Sequence, residues 1–133
     1  MTGLEKKKVI EYWMNSAKED WHTLENLKKG RRYAHALFFL HLALEKLLKA
    51  LIVKNTKEHA SFGHNLVYLT GKAGIDAPQQ ILDILSTIIS FNLNARYPDE
   101  KNDFFKVANR EFMLKWYKEG NIIRQWLIGM LEK

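Results

Sequence analysis

The stretch from Arg32 to Lys54 is apolar around most of its circumference, and this restricts the fold more than any other feature. A helix with so narrow a polar sector cannot lie on a surface. It must run through the middle of a bundle or sit at a subunit interface. Inside it, the run His41-Leu42-Ala43-Leu44-Glu45-Lys46-Leu47-Leu48-Lys49-Ala50-Leu51 adds a second constraint. With His41 at the reference angle, an advance of about 100° per residue puts Leu37, Leu44, Leu48 and Ile52 within about 60° of it. Glu45 and Lys49 fall at about 40° and 80°. An imidazole among leucines, with a carboxylate and an ammonium one and two turns on, must be satisfied by another buried polar group or by a ligand.

The rest of the chain also carries helical periodicity. Ile10, Trp13, Met14, Ala17, Trp21, Leu24 and Leu27 recur on one face of a first helix over about Glu5 to Lys28, which Gly30 ends. A polar linker from Asn55 to Gly63 follows the apolar helix, and a short helix covers about His64 to Lys72. Asp76-Ala77-Pro78 opens a further helix running to about Asn92, with Ile81, Leu82, Leu85, Ile88 and Ile89 inward. A loop around Asn94 to Asp99 bends at Pro98. The last helix, about Phe104 to Leu131, carries Gly120 in its interior, where a kink is expected. The pattern predicts an all-α, up-and-down four-helix bundle with one additional short helix, formed as a single domain over residues 1–133. The second helix has more apolar surface than such a bundle covers. Together with Phe38 and Phe39, the surplus predicts a homodimer.

Composition excludes several classes of function. The chain has no cysteine, so disulfides and thiolate metal sites are ruled out and a cytoplasmic location is expected. Met1 to Lys8 is basic but has no apolar signal-peptide core behind it, and no apolar run reaches the roughly 18 residues of a membrane span. A di-iron bundle needs two Glu-x-x-His pairs, and only Glu19 to His22 fits that spacing. There is no His-Glu-x-x-His, no glycine-rich phosphate loop, and no serine or cysteine beside an obvious base. Neither a metal nor a cofactor is expected. The formal net charge of +6 is compatible with an anionic partner such as RNA or a nucleotide.

Three constellations could carry chemistry. His41, Glu45 and Lys49 form either a satisfied core network or a polar site at the bundle surface. His64-Asn65-Leu66 marks a helix start, where Asn65 is a good cap and the helix end attracts phosphate. Arg96-Tyr97-Pro98-Asp99 is either a turn with an internal ion pair or an arginine presented to phosphate beside a stacking ring. The basic clusters Lys6 to Lys8, Lys28-Lys29 and Arg31-Arg32 are solvated helix ends unless folding brings them together.

In order and spacing, the His-x-Ala-x-Glu-Lys-x-x-Lys-Ala run at His41 to Ala50, then His64-Asn65-Leu66, then Ala95-Arg96-Tyr97-Pro98-Asp99, resembles the HEPN domain family. So does the earlier series Trp13, Ala17, Asp20 and Leu24, with Gly30, Tyr33, Ala34 and Ala36. The resemblance covers essentially the whole chain. It implies an up-and-down helical bundle, often dimeric. It also implies roles in RNA cleavage, RNA binding or nucleotide binding, and small prokaryotic members are commonly paired with a minimal nucleotidyltransferase in toxin–antitoxin-like modules. Ribonuclease members carry an arginine, four to six intervening residues, then a histidine. After Arg96 those positions are Lys101, Asn102 and Asp103, and no histidine follows His64. Metal-independent RNA cleavage usually needs a group that exchanges protons near neutral pH, and arginine has no accessible neutral form.

The expectation is therefore a non-catalytic binding and oligomerisation module for a nucleotide or RNA phosphate, with a nucleotidyltransferase partner and no membrane association. Its ligand-binding residues would be His41, Glu45, Lys49, His64, Arg96 and Tyr97. Arg96 and Lys49 would meet phosphate, Tyr97 would stack, and His41 with Glu45 would orient. The alternatives are a ribonuclease toxin with a rearranged site using His41 or His64, and a structural scaffold with a buried polar network.

Overall fold

The computed structural model describes residues 1–60, 62–96 and 103–133, with the side chain of Arg96 outside that set. The described residues form six helices and no strand: α1 (Gly3–Lys29), α2 (Tyr33–Asn55), α3 (Leu66–Lys72), α4 (Gln79–Arg96), α5 (Asp103–Val107) and α6 (Arg110–Leu131). The four long helices alternate in direction, which makes the expected all-α, up-and-down bundle. Parallel travel of α2 and α6 follows from two contacts: Leu40 packs on Gly120, and the Lys54 ammonium reaches the carbonyls of Met130 at 2.6 Å and Leu131 at 3.3 Å. A cation there also satisfies the orphan carbonyls at the negative end of the α6 dipole.

Local sequence explains most of the helix ends. Thr2 and Glu5 form a reciprocal capping box on α1. The side chain of Asn65 accepts from the Tyr68 N–H at 3.0 Å and starts α3, two residues later than the periodicity suggests. The C-terminal helix differs from the sequence expectation. It divides into α5 and α6 because Asn109 caps a fresh start, accepting from the Phe112 N–H at 2.9 Å. Asn94, Ala95 and Arg96, expected in a loop, form the last turn of α4. The bend expected at Pro98 lies outside the described residues.

α2 is the axis of the molecule and packs against every other helix. Leu37, Leu40, Leu44, Leu48 and Ile52 are fully buried, and each such side chain contributes about 1.5–3 kcal/mol relative to exposure. α3 and α5 also lie against α2, so less of it is left bare than the sequence suggests. Phe38, Phe39, Leu42 and Lys46 stay half-buried, and the two phenylalanine rings meet edge to face at 5.4 Å. Phe91 joins α4, α5 and α6 through Phe104, Phe112 and Trp116, with ring centroids 5.4–5.7 Å away.

Gly120 does not interrupt α6, which runs unbroken to Leu131, in place of the kink expected there. Its role is steric. A Cβ at this position would lie 2.5 Å from Leu40 Cδ1 and 2.9 Å from Cδ2, so the glycine sets how closely α6 approaches α2. Gly120→Ala would gain about 1 kcal/mol of helix propensity and lose about 1–3 kcal/mol to overpacking. A net loss of about 1 kcal/mol is expected in urea denaturation. Leu40→Val in the Gly120→Ala background should recover part of it, so the double variant is less unstable than the summed single variants. Strict additivity would show that the two residues do not limit the crossing.

Candidate functional site

Three polar residues of α2, His41, Glu45 and Lys49, are joined into one connected cluster. His41 is fully buried, and its Nε2 lies 2.7 Å from the backbone carbonyl oxygen of His64. A carbonyl only accepts, so Nε2 carries the proton. Nδ1 is then an acceptor, and the Asn92 Nδ2 of α4 donates to it at 3.3 Å. Burial, the largest influence on this imidazole, pushes its pKa below the usual 6.5. The His64 carbonyl and the Glu45 carboxylate pull the other way. Both bonds fit a neutral ring.

Glu45 is the hub. Its Oε2 accepts from the Lys49 ammonium at 3.0 Å, and its Oε1 accepts from His64 Nδ1 at 2.7 Å. The Glu45 and Lys49 side chains are both buried, and the Lys49 ammonium also lies 5.3 Å from the Trp13 ring centre. A buried carboxylate needs such company, because removing one partner of a buried ion pair costs about 3–5 kcal/mol. The residue after Glu45, Lys46, reaches Asp20 of α1 at 2.7 Å. The half-buried lysine and the mostly buried carboxylate tie the first two helices together.

His64 differs from its neighbours. Its side chain is 53% exposed, whereas those of His41 and Glu45 are 0% and 5% exposed. It lies just before α3, held twice to α2: its backbone carbonyl by His41 and its Nδ1 by Glu45. Nε2 has no hydrogen-bond partner among the described residues. The arrangement is an imidazole oriented by a buried carboxylate, with its second nitrogen free to bind or to exchange a proton.

The structure thus brings together four of the six residues singled out in the sequence: His41, Glu45, Lys49 and His64. Arg96 ends α4 one turn beyond Asn92, at the same end of the bundle as the start of α2. Its side chain and all of Tyr97 lie outside the described residues. Asn92 is the member that sequence reasoning missed. Its signal was present, since Leu85, Ile88 and Asn92 share one helical face and the asparagine is a polar residue in that apolar stripe. No group of three or more histidines and carboxylates suited to a metal occurs among the described residues. No helix among them is long and apolar enough to cross a membrane.

His41 makes stability depend on pH. Its native pKa lies below the ordinary 6.5, so the unfolded chain binds the proton more readily. Its contribution is complete above pH 6.5 and falls as pH drops below that value. The melting temperature should therefore fall between pH 7.5 and pH 5.5, and His41→Gln should fall less over the same interval. Equal slopes in the two proteins would remove His41 as the source.

Three comparisons with known proteins complete the picture. The sequence profile of the HEPN domain matches residues 10–130. No match to a curated protein reaches significance. The fold is similar to the crystal structure of TT1696 from Thermus thermophilus, with a TM-score of 0.76 at 15% identity over 90% of this chain and 96% of that one. It is also similar to the crystal structure of ST0689, an archaeal HEPN homologue, with a TM-score of 0.74 at 22% identity over 92% of this chain and 97% of the other. With a profile match over nearly its full length and the helical bundle described above, the chain belongs to the HEPN domain family.

Proposed function

We propose that this HEPN chain is a non-catalytic binding and oligomerisation module whose ligand is a nucleotide or an RNA phosphate. The observation that carries the reading is the His64 imidazole, half-exposed, with Nδ1 held at 2.7 Å by buried Glu45. In the protonated ring, Nε2–H would donate to a phosphate oxygen. Arg96, one turn past Asn92, would add a guanidinium, and Tyr97 a stacking ring. His41, Glu45 and Lys49 would act beneath the ligand, fixing the His64 ring and its backbone; the Lys49 ammonium is already committed to Glu45. The family pattern adds a homodimer, a minimal nucleotidyltransferase partner and a toxin–antitoxin-like setting in the cytoplasm. The half-buried Phe38, Phe39 and Leu42 offer an apolar strip for self-association.

The same dyad favours a second reading, a ribonuclease with a rearranged site. A carboxylate on Nδ1 and a free Nε2 are what a general base needs. Both His41 nitrogens are engaged, so the base would be His64.

One set of measurements separates the readings. On the binding reading, single-stranded RNA is not cleaved above the His64→Ala control, and nucleotide affinity drops in His64→Ala. Arg96→Ala should weaken binding by about 1.5–3 kcal/mol, the worth of a charge-assisted bond. RNA cleavage that vanishes in His64→Ala would overturn the non-catalytic assignment. Affinity unchanged in both variants would leave the cluster as a purely structural network. Light scattering at tens of micromolar should give the dimer mass.

A further inference from the structure

Folding gathers two basic clusters that are solvated helix ends when read in sequence alone. The α1–α2 turn places Lys28, Lys29 and Arg31 beside Arg110, the first residue of α6, around a cavity of about 250 Å³. A second cavity of about 170 Å³ adjoins it, sharing Arg31 and Tyr33 and adding Arg32, His35 and Phe105. Together they make one groove. Among the described residues, no carboxylate lines either part. Lys29, Arg31, Arg32 and Arg110 enter no ion pair among the described residues, while Lys28 lies 4.3 Å above the Tyr117 ring. Four cations gathered there with no counter-charge among the described residues repel one another, and an anion relieves that repulsion.

The backbone supplies an independent observation. Arg31 has φ of +61°, the left-handed conformation that follows a helix end and is usually given to glycine. Its N–H still bonds the Lys28 carbonyl at 3.1 Å, and the Arg32 N–H bonds that of Leu27 at 2.8 Å. A glycine at 31 would make the same turn without strain. Instead the chain puts glycine at 30, where φ is −79°, and holds an arginine in the strained position, with its side chain on the groove. Strain retained where a cheaper residue would serve points to a use for the side chain.

We propose that this groove binds consecutive phosphates of a single-stranded nucleic acid. The cations are spread over two adjoining cavities rather than closing around one point, and Tyr33 and Phe105 line them as faces for bases. The site is distinct from the His64 cluster. Tyr33 and His41 are eight residues apart on α2, about 12 Å along the helix.

The test uses a fluorescein-labelled single-stranded oligoribonucleotide, followed by anisotropy against salt concentration, with inorganic tripolyphosphate as a second probe. Arg31→Gly should raise the melting temperature by about 3–5 °C and weaken RNA binding about ten-fold. Arg110→Gln should weaken binding similarly, and each variant should lower the salt slope by about 0.7. The double variant Lys6→Ala/Lys7→Ala removes charge elsewhere and should bind as the parent does. Mononucleotide affinity, which reads the His64 site, should stay within two-fold in Arg31→Gly, and this separates the two sites. A more stable Arg31→Gly that binds RNA normally would overturn the proposal. So would an equal loss in the Lys6/Lys7 variant, which would reduce the effect to net charge. RNA that binds no more tightly than tripolyphosphate would overturn the assignment to a nucleic-acid strand.

Discussion

The Glu45 carboxylate is the constraint around which the polar part of the structure is arranged. It sits in the most apolar helix of the chain, where an unpaired charge would be untenable. Lys49 neutralises it from the next turn, and His64 completes its hydrogen bonding from outside the helix. The second of these has a topological effect. His64 belongs to the segment between α2 and α3, and its ring bond to Glu45 and carbonyl bond to His41 fix that segment against the bundle. His41 is satisfied in turn by Asn92 of α4. One buried charge thereby ties together α2, the start of α3 and the end of α4. The only half-exposed member of the cluster is the imidazole that leaves it.

Much of the fold was legible because helical periodicity is a repeated signal. The α1 stripe from Ile10 to Leu27 and the α2 core from Leu37 to Ile52 each contain several residues pointing to the same face. Features that rest on one residue were harder to read. Asn109 splits the last helix through a single capping bond, and nothing in the surrounding periodicity distinguishes it from an exposed helical asparagine. Gly120 appears in the sequence only as a helix-weakening residue. Its reason is Leu40, eighty positions away, so the pairing exists only once α2 and α6 cross.

The cluster was half legible for a related reason. His41, Glu45 and Lys49 lie on one helix, and their angular positions follow from helix geometry alone. That His64 closes the cluster follows from how the Asn55–Gly63 linker folds back, which no local pattern specifies. Its expected place beside the others came from resemblance to the family. Asn92 shows the converse. The polar residue in the α4 stripe was visible, but a single buried asparagine has many possible partners. Only the packing of α4 on α2 selects the histidine ring nitrogen.

The up-and-down topology brings the C-terminus of α1, the N-termini of α2 and α6 and the C-terminus of α4 to one end of the bundle. Charge is unevenly placed at that end. Lys28 and Lys29 suit the carbonyl terminus of α1, where cations are favoured. Arg110 does not suit its position, because it is a cation in the first turn of α6, at the positive end of the helix dipole. Arg31 is unfavourable for a different reason, its left-handed backbone. Helix electrostatics thus explains the two lysines but neither arginine. A purely structural account would have acid at position 110 and glycine at position 31, and both changes would make the isolated domain more stable. The two arginines share one cavity wall, which makes an external anion the common physical reason for keeping both.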